Sequence, residues 1–183
     1  MSYPATASQT VGPYFKIGLE YLDSHALCTE ASTGVHITVA GQVFDGDGVP
    51  VPDALLELWQ ADDLGRFAGH DEVSEGFGGF ARVPVDEHGG FHFRTVYPGS
   101  VAGPDGTLQA PHIVVMLSMR GLLKHLYTRI YFAGDALNEG DPILTAVPVD
   151  RRGTLLAHEV EGSKQYRINI YLQGETETVF FEY

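Results

Sequence analysis

From His36 onward the sequence runs in short stretches of period two, and this pattern constrains the fold more than any other feature of the chain. Ile37, Val39, Gly41 and Val43 fall on one face of a first strand. Asp45-Gly46-Asp47-Gly48 then marks a turn. A second strand over residues 54–60 sets Leu56 and Leu58 against Leu55, Glu57 and Trp59. Residues 61–79 are polar and glycine-rich and read as a long loop, the kind of segment that carries function. Residues 80–85 and 91–96 read as a hairpin around Glu87-His88-Gly89-Gly90, and 98–109 as another loop. Strands over 112–119, 127–132, 155–160, 166–172 and 179–181 complete the series, with no long amphipathic helix. The expected fold class is all-β: a two-sheet β-sandwich with long functional loops.

Before His36 the periodicity is absent. Residues 8–15 read as an extended N-terminal arm and 21–33 as loop or short helix. The expected organisation is arm and loop over 1–34 and sandwich over 35–183, one domain in all, which suits a chain of 183 residues. The 22 glycines and 10 prolines supply the turns such a fold needs. A lone cysteine, Cys28, excludes an internal disulfide framework and a thiolate metal cluster. The opening residues lack the basic and apolar regions of a signal peptide, and no apolar run is long enough to span a bilayer, so a cytoplasmic location is expected. A net charge of −13 argues against nucleic acid or an anionic membrane as partner. An anionic small substrate would need basic side chains focused at its site, from this chain or from a less acidic partner.

Four stretches carry a family resemblance. They are Ser8-Gln9-Thr10-Val11-Gly12-Pro13-Tyr14-Phe15; Gly41-Gln42-Val43-Phe44-Asp45 leading into Leu56-Glu57-Leu58-Trp59-Gln60-Ala61-Asp62; Phe93-Arg94-Thr95-Val96-Tyr97-Pro98-Gly99; and Ala110-Pro111-His112-Ile113 followed by Thr128-Arg129-Ile130-Tyr131-Phe132. Together, and in this order over nearly the whole chain, they resemble the intradiol ring-cleaving dioxygenases. The ending Gln173-Gly174-Glu175-Thr176-Glu177-Thr178-Val179-Phe180-Phe181 is similar to the α-type chain of the two-chain members. The resemblance implies a β-sandwich of two sheets with the active site in loops between them. It also implies oxidative opening of protocatechuate to 3-carboxy-cis,cis-muconate at a ferric ion.

Iron-carrying members hold that ion with two tyrosinates and two histidines, a donor set suited to a hard cation. The resemblance places those four positions at Phe67, Val101, His112 and Val114. Phenylalanine and valine have no donor atom, so only His112 is retained and no metal is expected on this chain. Tyr97, four residues before Val101, is the one out-of-register phenol that could replace a ligand. The Fe(III) is expected on a β-type, iron-binding partner subunit, in a higher αβ oligomer. The expected contribution of this chain is substrate-binding: Thr10, Gly12, Pro13 and Tyr14 of the arm, and Arg129, a guanidinium suited to the ring carboxylate. The competing expectations are an arm that only packs on a neighbour and an Arg129 that only pairs with an acid. As a whole, the alternative to the subunit is a non-catalytic β-sandwich binding or structural module; a self-sufficient catechol dioxygenase is disfavoured by Phe67, Val101 and Val114.

Overall fold

A computed structural model describes residues 4–103 and 105–182. Residues 1–3 of the expected arm, Pro104 of the expected 98–109 loop and Tyr183 of the expected domain lie outside the described residues. The described residues form eleven strands: β1 (His36–Phe44), β2 (Leu55–Trp59), β3 (Phe80–Pro84), β4 (Gly90–Val96), β5 (Val101–Ala102), β6 (Leu108–Gln109), β7 (His112–Ser118), β8 (Leu126–Phe132), β9 (Leu156–Val160), β10 (Gln165–Arg167) and β11 (Ile170–Tyr171). Two helical turns, α1 (Tyr14–Ile17) and α2 (Pro142–Ala146), are the only α-helix among the described residues.

One layer carries β3-β2-β7-β8, and the other carries β4 and β9 to β11 around β1. The layers join at one edge, where β9 pairs with β8 on one side and with β10 on the other. The sandwich expected from the period-two pattern is therefore the fold. Its interior is filled by the faces the alternation selects: Ile37, Val39 and Val43 from β1, Leu56 and Leu58 from β2, Phe91 and Phe93 from β4, Ile113, Val115 and Leu117 from β7, and Ile130 and Phe132 from β8. Burial of these side chains is the main favourable term in folding.

Several expected elements differ. The segments 80–85 and 91–96 are not a hairpin: β3 pairs with β2 and β4 with β1, so the turn between them carries the chain from one layer to the other. Turn residues report a reversal and say nothing of which strand lies alongside. The expected strand 166–172 is split into β10 and β11 beside Gly41, where Ile168 and Asn169 leave the ladder. The expected strand 179–181 is a single bridge, Tyr127 to Phe181. The loop 98–109 contains the small β5–β6 pair. Residues 8–15 are extended only in part. Pro13 has φ −59°, and the Gly12 and Pro13 carbonyls accept from Phe15 and Ile17 N–H, which starts α1. No helix among the described residues is long and apolar enough to cross a membrane.

Candidate functional site

The outer face of β2-β7-β8 collects the residues expected to matter. Side chains two apart on a strand share a face, so His112 and Val114 point outward while Ile113 and Val115 fill the core. Val114 lies between Trp59 of β2 and Arg129 of β8, and His112 lies opposite Tyr131. Phe67 stacks on Trp59, with ring centroids 6.1 Å apart and planes 3° from parallel. Val101 pairs in register with Gln109, whose Oε1 accepts from Arg129 Nη1 at 2.7 Å. Four positions scattered over 48 residues of sequence thus converge around Arg129. They sit on the outside of one sheet, beneath loops. The space between the two sheets is filled by packed aliphatic and aromatic side chains.

The residues around Arg129 form a connected network. Its Nη1 also donates to the Tyr131 hydroxyl at 3.3 Å, which in turn donates to Asp141 Oδ1 at 3.1 Å. Burial raises the Tyr131 pKa, so the phenol stays protonated. His112 Nδ1 is 2.8 Å from the Ala110 carbonyl. Burial and then the Arg129 charge push the His112 pKa down to about 4, so the ring is neutral at pH 7. Among the described residues, no three His, Cys, Asp or Glu are placed to hold a metal ion. Phe67, Val101 and Val114 offer no donor atom, and a guanidinium stands among them. These residues do not fit a ferric ion. Tyr97 offers no replacement: its hydroxyl donates to Asp135 Oδ2 at 2.8 Å, and its ring packs on Phe132 and Tyr166. Burial and the Asp135 bond raise its pKa, opposing a phenolate.

The loop that presents Phe67 is tied by Asp62. Asp62 Oδ1 accepts from the N–H groups of Leu64 and Arg66, and Oδ2 from Arg66 Nε and Nη2 at 2.9 and 2.7 Å. Burial raises its pKa, and the bonds from Arg66 and Leu64 outweigh that and lower it on balance. A lowered carboxylate pKa stabilises the fold above the unfolded value and is lost as pH falls through the folded one. An Asp62→Asn variant is therefore expected to unfold more easily than wild type at pH 7. Its deficit should shrink below the ordinary value of 3.8. Urea melts at both pH values check this; a deficit independent of pH would contradict it.

The arm lies elsewhere on the same layer. Thr10 Oγ1 accepts from Gly121 N–H at 2.8 Å and donates to the Met119 carbonyl at 3.4 Å. Farther along, Arg82 Nη2 donates to the Phe15 carbonyl at 2.6 Å, and the guanidinium carbon lies 4.9 Å from the centre of the Phe15 ring. Arg82 is itself buried beside Glu57 and Asp23. Between these anchors the arm walls a groove of about 360 Å³. Gly12, Pro13, Lys16, Asp53 and Arg120 line it. A Cβ added at Gly12 would meet nothing within 4 Å, and Tyr14 is 79% exposed.

The structure therefore brings Thr10, Gly12 and Pro13 together but leaves Arg129 apart from them. Arg129 stands opposite Val114 near the start of β7, whereas the arm crosses its far end at Met119. Besides buried Arg82, an exposed guanidinium stands beside the arm: Arg120, which pairs with Asp53 at 3.1 Å. Sequence reasoning passes over Arg120. Its signal is a cation between the end of a strand and a glycine, in a chain with only 11 Lys and Arg.

A family model described as Dioxygenase matches residues 11–174. The protocatechuate 3,4-dioxygenase alpha chain of Burkholderia cepacia is 43% identical, over 97% of this chain and 96% of its own. The protocatechuate 3,4-dioxygenase beta chain of the same organism is 29% identical, over 96% of this chain and 78% of its own. Among solved structures, the dioxygenase domain of a dioxygenase–carbohydrate-binding protein fusion from Streptomyces sp. SirexAA-E superposes with a TM-score of 0.64. It is 28% identical and covers 93% of this chain and 99% of its own.

Proposed function

The chain belongs to the intradiol ring-cleaving dioxygenase family, and from that premise we propose that it is the iron-free α-type subunit of a protocatechuate 3,4-dioxygenase of the cytoplasm. The observation that carries this reading is a pair of findings on one layer: side chains without donor atoms at Phe67, Val101 and Val114, and an arm that walls a groove lined by Lys16 and Arg120. A β-type partner carries the Fe(III), and ring opening to 3-carboxy-cis,cis-muconate takes place there. The similarity to both an alpha and a beta chain supports two related subunits in one enzyme. In organisation, we read the sequence as arm and loop over 1–34 and sandwich over 35–183, one domain in all.

The task of this chain is positioning. Gly12 and Pro13 let the backbone approach the ring closely, Pro13 fixing φ at the start of α1. Thr10 keeps the arm in register on the Met119–Gly121 segment. Tyr14 offers an exposed phenol as a donor. Lys16 and Arg120 provide local positive charge in a chain of net −13, and a guanidinium is the better match for a ring carboxylate. The arm also shields the site from water once the partner is in place.

Gly12→Ala and Arg120→Ala separate this role from a purely structural one. In the chain alone neither change is expected to alter thermal stability, because the added Cβ meets open space and the arginine is exposed. In the assembled enzyme each is expected to raise the apparent KM for protocatechuate, Arg120→Ala roughly tenfold or more, with kcat much less affected. Steady-state oxygen uptake measures both. An unchanged KM in both variants would sink the proposal that the arm and Arg120 face substrate.

A further inference from the structure

The four positions that lack a working ligand set converge on one buried cation, and that cation is permanent. Gln109 Oε1 lies 2.7 Å from the Arg129 guanidinium and the Tyr131 hydroxyl 3.3 Å. Tyr131 leads on to buried Asp141. We infer that Arg129 takes over the positive charge a metal would bring to this place and is the residue that bars a metal ion from it. The inference rests on the reading of Phe67, Val101, His112 and Val114 as vestigial ligand positions.

Three physical points support it. Arginine keeps its charge at any pH at which the protein is folded, so it cannot make way for an incoming cation as a lysine or histidine can. Next, a multiply charged ion beside Val114 would sit next to that guanidinium in a buried setting, where like-charge repulsion is weakly screened. Finally, the polar groups nearest the centre are engaged: Gln109 and Tyr131 with Arg129, Asp141 with Tyr131 and three backbone N–H groups, His112 Nδ1 with the Ala110 carbonyl. It follows that restoring a ligand is insufficient while Arg129 stays.

The test uses Val114→His, which creates a His-x-His pair on the outer face of β7, alone and combined with Arg129→Gln. Ni²⁺ is the probe, read by isothermal titration calorimetry on the whole chain. Val114→His alone is expected to bind Ni²⁺ no better than wild type, and the double variant roughly tenfold or more tightly. Where glutamine destabilises the chain, Arg129→Met retains the stem volume and takes its place. Equal Ni²⁺ affinity with and without Arg129 overturns the inference. So does a folded double variant that binds no better than wild type. Stoichiometric ferric ion on the unsubstituted chain would instead defeat the reading of the four positions, and the inference with it.

Discussion

Asp141→Ala is expected to destabilise the chain by about 3–5 kcal/mol. Asp141 is fully buried and serves two purposes at once. As N-cap of α2 it accepts from Ile143 and Leu144 N–H at 2.9 and 2.7 Å, with Pro142 at the first helical position. Across the layer it accepts from Ala110 N–H at 2.7 Å and from the Tyr131 hydroxyl at 3.1 Å. Alanine removes the cap, worth about 1 kcal/mol, and strands two buried donors at roughly 1–3 kcal/mol each. For a chain of this size the melting temperature should fall on the order of 10 °C. Asp141→Asn keeps Oδ1 and turns only the Ala110 acceptor into a donor, so its cost should be about 1–2 kcal/mol. Differential scanning calorimetry ranks the pair. An alanine variant within 1 kcal/mol of wild type would contradict the network described around β8.

The second large effect is at Gly41. Here β1 passes from pairing with β10 to pairing with β11, and the chain between them crosses at Ile168 and Asn169. Ile168 N–H donates to the Ala40 carbonyl, and Asn169 Oδ1 accepts from Gln42 N–H at 3.1 Å. A Cβ on residue 41 would overlap the Ile168 carbonyl oxygen and press on the Phe91 ring. Backbone on one side and a buried aromatic on the other leave no rotamer to relieve the overlap. Gly41→Ala should therefore cost more than the ~1–3 kcal/mol typical of core overpacking, by forcing β10 and β11 off β1. The expected result is little soluble folded protein, or a melting transition well below wild type. Gly12→Ala, with open space around its Cβ, is the internal control. A stable Gly41→Ala protein would mean that the β10–β11 break lies elsewhere.

Much of the sandwich is legible in the sequence because strand alternation and burial are one fact seen twice. Leu56 and Leu58 face the core while Glu57 and Trp59 do not. Strand partners are not legible in this way. The Glu87-His88-Gly89-Gly90 turn fixes a reversal, but β3 pairs with β2 and β4 with β1, in different layers. The short helical turns after β8, Ala136–Glu139 and α2, escape a search for apolar periodicity, since four or five residues carry none; their signal is the cap, Asp135 for the first and Asp141-Pro142 for the second.

The site divides in the same manner. Missing donors at Phe67, Val101 and Val114 are a matter of residue type, readable without coordinates. Which arginine stands beside the arm is a matter of where β7 ends, and that needed the fold. Arg129 and Arg120 lie nine residues apart in sequence, but the first belongs to the network at the start of β7 and the second to the groove at its end.

The most direct test of the account is to express this chain alone and together with a β-type iron chain, and to measure iron per protomer and oxygen uptake with protocatechuate. The account predicts no iron and no uptake for the chain alone, and a complex that contains both chains, binds iron and consumes oxygen. A chain that alone holds a stoichiometric ferric ion and turns over substrate would contradict it, as would one that remains a monomer in the presence of the β-type chain.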